Sequence, residues 1–165
     1  MQKTYVGLDN GVTGTFGIIK PNGDFTFGFI PTKVCLNYTK AKKNITRIDV
    51  VKLKTLLMTD APLNPFVVIE RPMVNPMRFQ ASVSALRAYE AVLVVLEDLV
   101  IPYEVIDSKS WQHELLPRKE GKASGLELKY MSHQVGKRLF PQIDWSQFKD
   151  ADGILIAEWA RRKQL

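Results

Sequence analysis

The chain has 165 residues, 45% apolar and 24% charged, a balance expected of one domain spanning 1–165 with its own core. Its formal net charge of +6 and pI of about 9.4 point to an anionic partner, nucleic acid first. The single cysteine, Cys35, excludes an internal disulfide framework, and neither it nor His113 and His133 has zinc-ligand spacing. No signal-like start and no uninterrupted membrane-length apolar run is visible, so the expectation is a cytoplasmic protein with no membrane partner.

In chain order, TYVGLDN (4–10) and GTFGIIK (14–20) read as strands, and the turn PNGD (21–24) leads into a third, FTFGFI (25–30). From Lys33 to Arg47, KVCLNYTKAKKNITR carries five basic residues and no acidic one; it reads as a basic loop. IDVVKLKTLLMT (48–59) has helical spacing, with Val50, Leu53, Leu56 and Leu57 on one side. APLNP stops it, and FVVIE (66–70) is a short apolar run ending in Glu70, a buried central strand.

A long helix is expected from Gln80 to Leu99, with Ser82 or Ser84 near its start. It is apolar on more than one stripe, so one face should meet the sheet and another a second subunit, with core packing without dimerisation as the alternative. IPYEVID (101–107) reads as a strand, and SKSWQHELL (108–116) as a short helix capped by Ser108. PRKEGKASG (117–125) is a basic loop, and LELKYMSHQVGKRLF (126–140) a helix ended by Pro141. The last helix runs through DADGILIAEWARRK (150–163), acidic at its start and basic at its end, as the helix dipole prefers. The resulting fold class is α/β, a mixed five-stranded sheet flanked by helices.

Four carboxylates share an odd property. Asp9 ends the first strand, Glu70 ends a central strand, and Asp150 and Asp152 open a helix that must pack on the sheet. If those strands are neighbours, the carboxylates converge at one sheet edge, where like charges would raise one another's pKa. Two Mg²⁺ or Mn²⁺ ions would relieve that repulsion and serve phosphodiester hydrolysis. Taken singly, Asp9 also reads as a turn residue, Glu70 as a partner of Arg71, and Asp150 or Asp152 as a helix cap.

The ordered set GLDNGVTG, VVIERP and KDADGILIAEW resembles the RuvC family of Holliday junction resolvases, which have the ribonuclease-H-like fold. The series IERP, SALRAYEA, IDSKSWQ, LLP, GKRLFP and KDADGILIA is closer to the branch of phage and plant plastid resolvases, over about Lys3 to Ala160. The resemblance implies a homodimer that makes paired symmetric nicks in four-way and other branched DNA with divalent metal. It implies Asp9, Glu70 and Asp152 as ligands, with Asp150 assisting. Three residues before Asp152 the bacterial proteins carry Asp or His; here stands Lys149, a candidate contact to the scissile phosphate or its water, with a solvated lysine as the alternative.

In such enzymes the loop after the second carboxylate enters the junction centre. Here RPMVNPMRF (71–79) offers Met73 or Phe79 as a wedge between bases, Met77 as a further large apolar group and Arg78 for a phosphate; refolding of these side chains into the core is the alternative. Lys40, Lys42, Lys43, Arg47, Arg118, Lys119 and Lys122 are expected to follow the DNA arms. Trp111 is expected half in the core and half positioning the nearby Ser108 and Lys109, Lys109 being a candidate DNA contact, and the glycines after Asp9 should let a backbone approach.

Three other readings compete. The Asp-x-Gly turn with Thr13 or Thr15 is similar to the phosphate hairpin of the sugar-kinase and actin superfamily, which needs two such domains. An RNA-processing nuclease of the same fold, or a non-catalytic junction binder, would share the basic surface.

Overall fold

The computed structural model describes residues 2–38, 40, 43–117, 121 and 123–165. Five strands form one sheet: β1 (Thr4–Leu8), β2 (Thr15–Ile19), β3 (Phe25–Phe29), β6 (Pro65–Glu70) and β7 (Tyr103–Ile106), in the order β3-β2-β1-β6-β7. The first three pair antiparallel through short turns, whereas β1, β6 and β7 are parallel, with helices in the crossovers. This is the expected mixed α/β sheet.

The sequence reading missed a pair of strands. β4 (Thr32–Leu36) and β5 (Asn44–Ile48) form a separate two-stranded hairpin inside the basic segment that was expected to be a loop. Its alternation was hidden because exposed Val34 and Leu36 and exposed Lys33 and Arg47 lie on opposite faces, so neither face reads as buried. The hairpin leaves the sheet where Ile30 N–H donates to Gly14 O and returns where Asp49 N–H donates to Pro31 O. At its far end Arg87 donates to the Tyr38 hydroxyl at 2.6 Å and lies over its ring, pinning the hairpin to α2 (Phe79–Asp98).

Strand alternation divides the core in two. Val6, Leu8, Val67 and Ile69 point to one face and pack against α1 (Val50–Asp60) and α2. The residues between them point to the other face, where α5 (Asp152–Lys163) lies across the sheet, covered by α3 (Ser108–Leu115) and α4 (Gly125–Leu139). Every residue of α5 from Gly153 to Ala160 is buried, the pattern of a helix enclosed on all sides.

The helix starts depart from expectation. Ser108 does not cap α3; Asp107 occupies that position without a side-chain bond. Ser82 and Ser84 do not cap α2 either, because a 3-10 turn at Pro76–Arg78 precedes it and Ser82 instead bonds both backbone groups of Asn75. Ser124 caps α4 in a reciprocal box with Glu127. By length and composition alone, Pro76–Asp98 is long and apolar enough to cross a membrane, which amends the sequence reading; its Ala88, Val92, Val95 and Leu96 pack on the sheet and its Leu86 and Val94 are exposed.

What allows α5 to lie so close is the absence of side chains. A Cβ on Gly7 would stand 2.2 Å from Gly153 O, and one on Gly17 2.2 Å from Ile154 Cα. Backbone cannot yield as a flexible side chain does. Gly17→Ala should therefore lower the melting temperature by about 5 °C or more, from an overpacking cost of at least ~1–3 kcal/mol. Thermal denaturation followed by circular dichroism checks this; an unchanged midpoint would mean that α5 is not seated on β2.

Candidate metal centre

The geometry of the site follows from register. Leu8 pairs with Ile69 in parallel strands, so the next residues, Asp9 and Glu70, emerge side by side at one sheet edge. Alternation sends both to the α5 face, because Leu8 and Ile69 point to the other. The first turn of α5 begins at that edge: Gly153 N–H donates to Thr15 Oγ1, and Asp9 N–H to Thr15 O. Carboxylate oxygens of Asp9, Asp150 and Asp152 lie within 4.8 Å of one another, and Glu70 stands close enough to perturb Asp9 and Asp152.

Neither acidic residue caps α5. The cap position is Ala151, and Asp150 precedes the helix, so the two carboxylates escape the divergence a regular helix would impose. Asp150 instead accepts a 2.7 Å bond from the Lys129 ammonium on α4. Asp152 accepts a very short hydrogen bond from Ser132, whose Oγ also accepts from Ala151 N–H. α4 comes within reach because Gly136 faces Ala151, where a Cβ would stand 2.3 Å from the alanine methyl. Glu70 accepts from the indole of Trp111 at 2.9 Å; Trp111 is a core residue, as half of its reading expected, and the group it holds is Glu70 rather than Ser108 and Lys109. Arg71 pairs with Asp107 rather than with Glu70.

The electrostatics are those of buried carboxylates that repel one another. Burial, then the charges of Asp152, Glu70 and Asp150, hold Asp9 well above the usual carboxylate range. Glu70 is raised chiefly by burial, against the Trp111 bond. Burial and Asp150 push Asp152 up to about 7, against the bond from Ser132. For Lys129, burial pulls downward, but the bond and charge of Asp150 outweigh it and the net direction is up. Hard carboxylate oxygens this close together, those of Asp9 and Asp152 costly to ionise, fit a divalent cation such as Mg²⁺ or Mn²⁺.

The other residues singled out from sequence lie as follows. Lys40, Lys43 and Arg47 are exposed on or beside the β4–β5 hairpin. Met73 (81% exposed) stands out in the loop after β6, Met77 (91%) and Arg78 in the 3-10 turn that ends it and Phe79 (66%) at the first position of α2, so this segment does not fold back into the core. Lys109 and Lys149 are exposed, and among the described residues Lys149 joins no ion pair, whereas the Lys129 ammonium bonds the acidic cluster. Lys42, Arg118, Lys119 and Lys122 lie outside the described residues. Gly11 faces open space, as an approaching backbone would require, whereas Gly14 is needed by the turn itself: a Cβ there would stand 1.9 Å from Asp9 O.

Lys129, Ser132 and Trp111 were missed as parts of the site. The first two share a helix face by their spacing of three, and Ser132 and Gly136 are small residues on a face otherwise apolar. That is a signal of close packing but not of which carboxylate is near.

No family model matches the sequence, and no curated protein does. Solved structures do match. A Thermus thermophilus RuvC in complex with a Holliday junction substrate superposes with a TM-score of 0.59 over 97% of this chain and 96% of that one, at 12% identity. Another Thermus thermophilus RuvC structure gives 0.53 over 98% and 96%, at 14% identity. The chain has the ribonuclease-H-like fold of RuvC. At such identities the likeness establishes the fold.

Because the folded value of Asp152 lies near 7 rather than 3.8, the metal-free fold resists its ionisation. The resulting cost is absent below about pH 4, grows as pH rises towards 7 and is complete above it. Without metal, Asp152→Asn should therefore melt above wild type at both pH values and by several degrees more at pH 8 than at pH 5, the two margins differing by about 1–3 kcal/mol. Mg²⁺ should stabilise the wild type more at pH 8 than at pH 5. Calorimetric scans at both pH values check this, and a pH-independent difference would mean that the carboxylates are well solvated.

Proposed function

We propose that this protein is a divalent-metal-dependent junction-resolving endonuclease, acting as a homodimer that nicks two opposing strands of a four-way DNA junction. The observation that carries the reading is the convergence of Asp9, Asp150 and Asp152, with Glu70 beside them, at one sheet edge of a RuvC-like fold. The motif series from IERP to KDADGILIA supports a place in the phage and plastid branch of these enzymes.

Asp9, Glu70 and Asp152 would hold the metal, with Asp150 assisting. Bound there, Mg²⁺ or Mn²⁺ would polarise the scissile phosphate, acidify a water and neutralise charge on the leaving oxygen. The protein supplies the geometry: Trp111 fixes Glu70, Ser132 fixes Asp152, and both donors are buried enough to prevent rotation of the carboxylates. Hydrolysis in line would leave a 5′-phosphate and a 3′-hydroxyl.

Substrate choice would rest on elements at the same edge. The exposed segment carrying Met73, Met77 and Phe79 follows Glu70 directly and offers apolar groups to stack on unpaired bases, worth roughly 1–3 kcal/mol per base. The β4–β5 hairpin presents Lys33 directly opposite Arg47, both exposed. Like charges opposed across a strand pair repel, and a DNA phosphate would relieve the repulsion. Exposed Leu86 and Val94 on α2 are the surface on which the second subunit would sit.

The deciding assay offers a synthetic four-way junction, linear duplex and structured RNA with Mg²⁺. Paired symmetric nicks in the junction alone are expected, abolished by Asp9→Asn with junction binding retained. Binding without nicks under any divalent ion would make the protein a non-catalytic junction binder, and preferential RNA cleavage an RNA-processing nuclease. Replacing both Lys33 and Arg47 with Ala should weaken binding about tenfold at moderate salt and reduce the salt slope by about two. An unchanged slope in a binding titration would remove the hairpin from the interface.

A further inference from the structure

We infer that Lys129 is a built-in cation of the acidic site, one that holds Asp150 in the free protein against a second divalent ion and releases it when a substrate phosphate arrives. The inference rests on the metal-centre reading above and concerns how many ions the empty protein accepts.

The observation is the placement of an ammonium inside a candidate metal cluster. Lys129 Nζ lies 2.7 Å from Asp150 Oδ2, and Asp150 is one of the three carboxylates whose oxygens converge within 4.8 Å. Asp152 and Asp9 also feel the charge of Lys129. An ammonium bonded to a ligand oxygen occupies one of its lone pairs and repels an incoming dication. The cluster thus holds one cation of its own.

Charge balance sets the stoichiometry. Counted formally, with the four carboxylates deprotonated as metal ligands must be and Lys129 as an ammonium, the site carries three net negative charges. One divalent ion leaves it negative, while two overshoot to positive unless an anion enters. A phosphodiester is that anion, and it supplies the alternative acceptor that Lys129 needs.

The two partners differ in mobility as this requires. The Asp150 side chain is 9% exposed, whereas that of Lys129 is 53% exposed on the outer part of α4. Asp150 is fixed in the protein, and Lys129 has a long stem in water with room to swing. Ser132, one turn along the same helix, remains on Asp152 throughout, so movement of Lys129 need not disturb the other ligand.

Titration calorimetry with Mn²⁺, on protein without DNA at pH 8, tests this on the wild type, Lys129→Met and Lys129→Arg. The wild type and Lys129→Arg should bind one Mn²⁺ per chain. Lys129→Met should bind two, or bind the first at least tenfold more tightly. Because Lys129→Met leaves the buried Asp150 without its ammonium, the Mn²⁺-free variant should melt below wild type while still unfolding cooperatively, and Lys129→Arg, which keeps the charge, should melt close to wild type. Should Lys129→Met misfold, Lys129→Gln, which keeps the length but not the charge, takes its place with the same expectation. Two ions in the wild type without DNA, or identical isotherms for wild type and Lys129→Met, would overturn the inference while leaving the metal centre intact. No Mn²⁺ heat from any of the proteins would overturn both.

Discussion

The structure depends on how closely one helix can approach a sheet. α5 rests on β1 and β2 through Gly7, Gly17 and Gly153, where any Cβ would overlap backbone atoms. A conventional helix-on-sheet spacing would lift the first turn of α5 away from the strand ends. At the observed spacing, Gly153 N–H reaches Thr15 Oγ1, and Asp152 comes down beside Asp9. Packing and site geometry are here one constraint, because the residues that permit the contact flank those that form the cluster.

The same contact concentrates charge that the fold cannot neutralise by itself. Burial and mutual repulsion raise Asp9, Glu70 and Asp152 together, and the surroundings answer with donors rather than with enough cations. Trp111 and Ser132 each bind one carboxylate, and Lys129 binds a third. These contacts set orientation but leave the site negative. Stability is given up at this edge and made good in the two apolar layers, Leu53, Leu57, Val92 and Leu96 on one side and Ile154, Leu155, Ile156 and Trp111 on the other.

The two faces of the sheet do different work. The α5 face carries the carboxylates and the side chains that hold them. The α1 and α2 face carries the β4–β5 hairpin, tied by Arg87 and Tyr38, and α2 begins in the segment with exposed Met73, Met77 and Phe79. Asn10, next to Asp9, donates to Ala85 O on α2, so the two faces meet at the acidic edge. A chain with net positive charge thereby gathers its buried acids at one edge and leaves lysines and arginines outside, an arrangement suited to drawing in an anion and then acting on it.

Much of this was legible in the sequence. The five strands of the main sheet, the helices between them and the positions of Asp9 and Glu70 at strand ends all follow from apolar runs that terminate in a carboxylate, a local signal. The hairpin was not legible, because its strands bury neither face and its basic composition resembled a loop. Nor was the role of Asp150, whose spacing from Asp152 suggests divergence until the structure starts the helix one residue after Ala151. Lys129, Ser132 and Trp111 lie 20 to 41 residues from the carboxylates they bind, on chains of packing that no local pattern encodes. The sequence alone determined which residues could be costly to bury. Only tertiary structure decided which of them share a space, since that depends on three glycines letting a helix backbone touch a sheet.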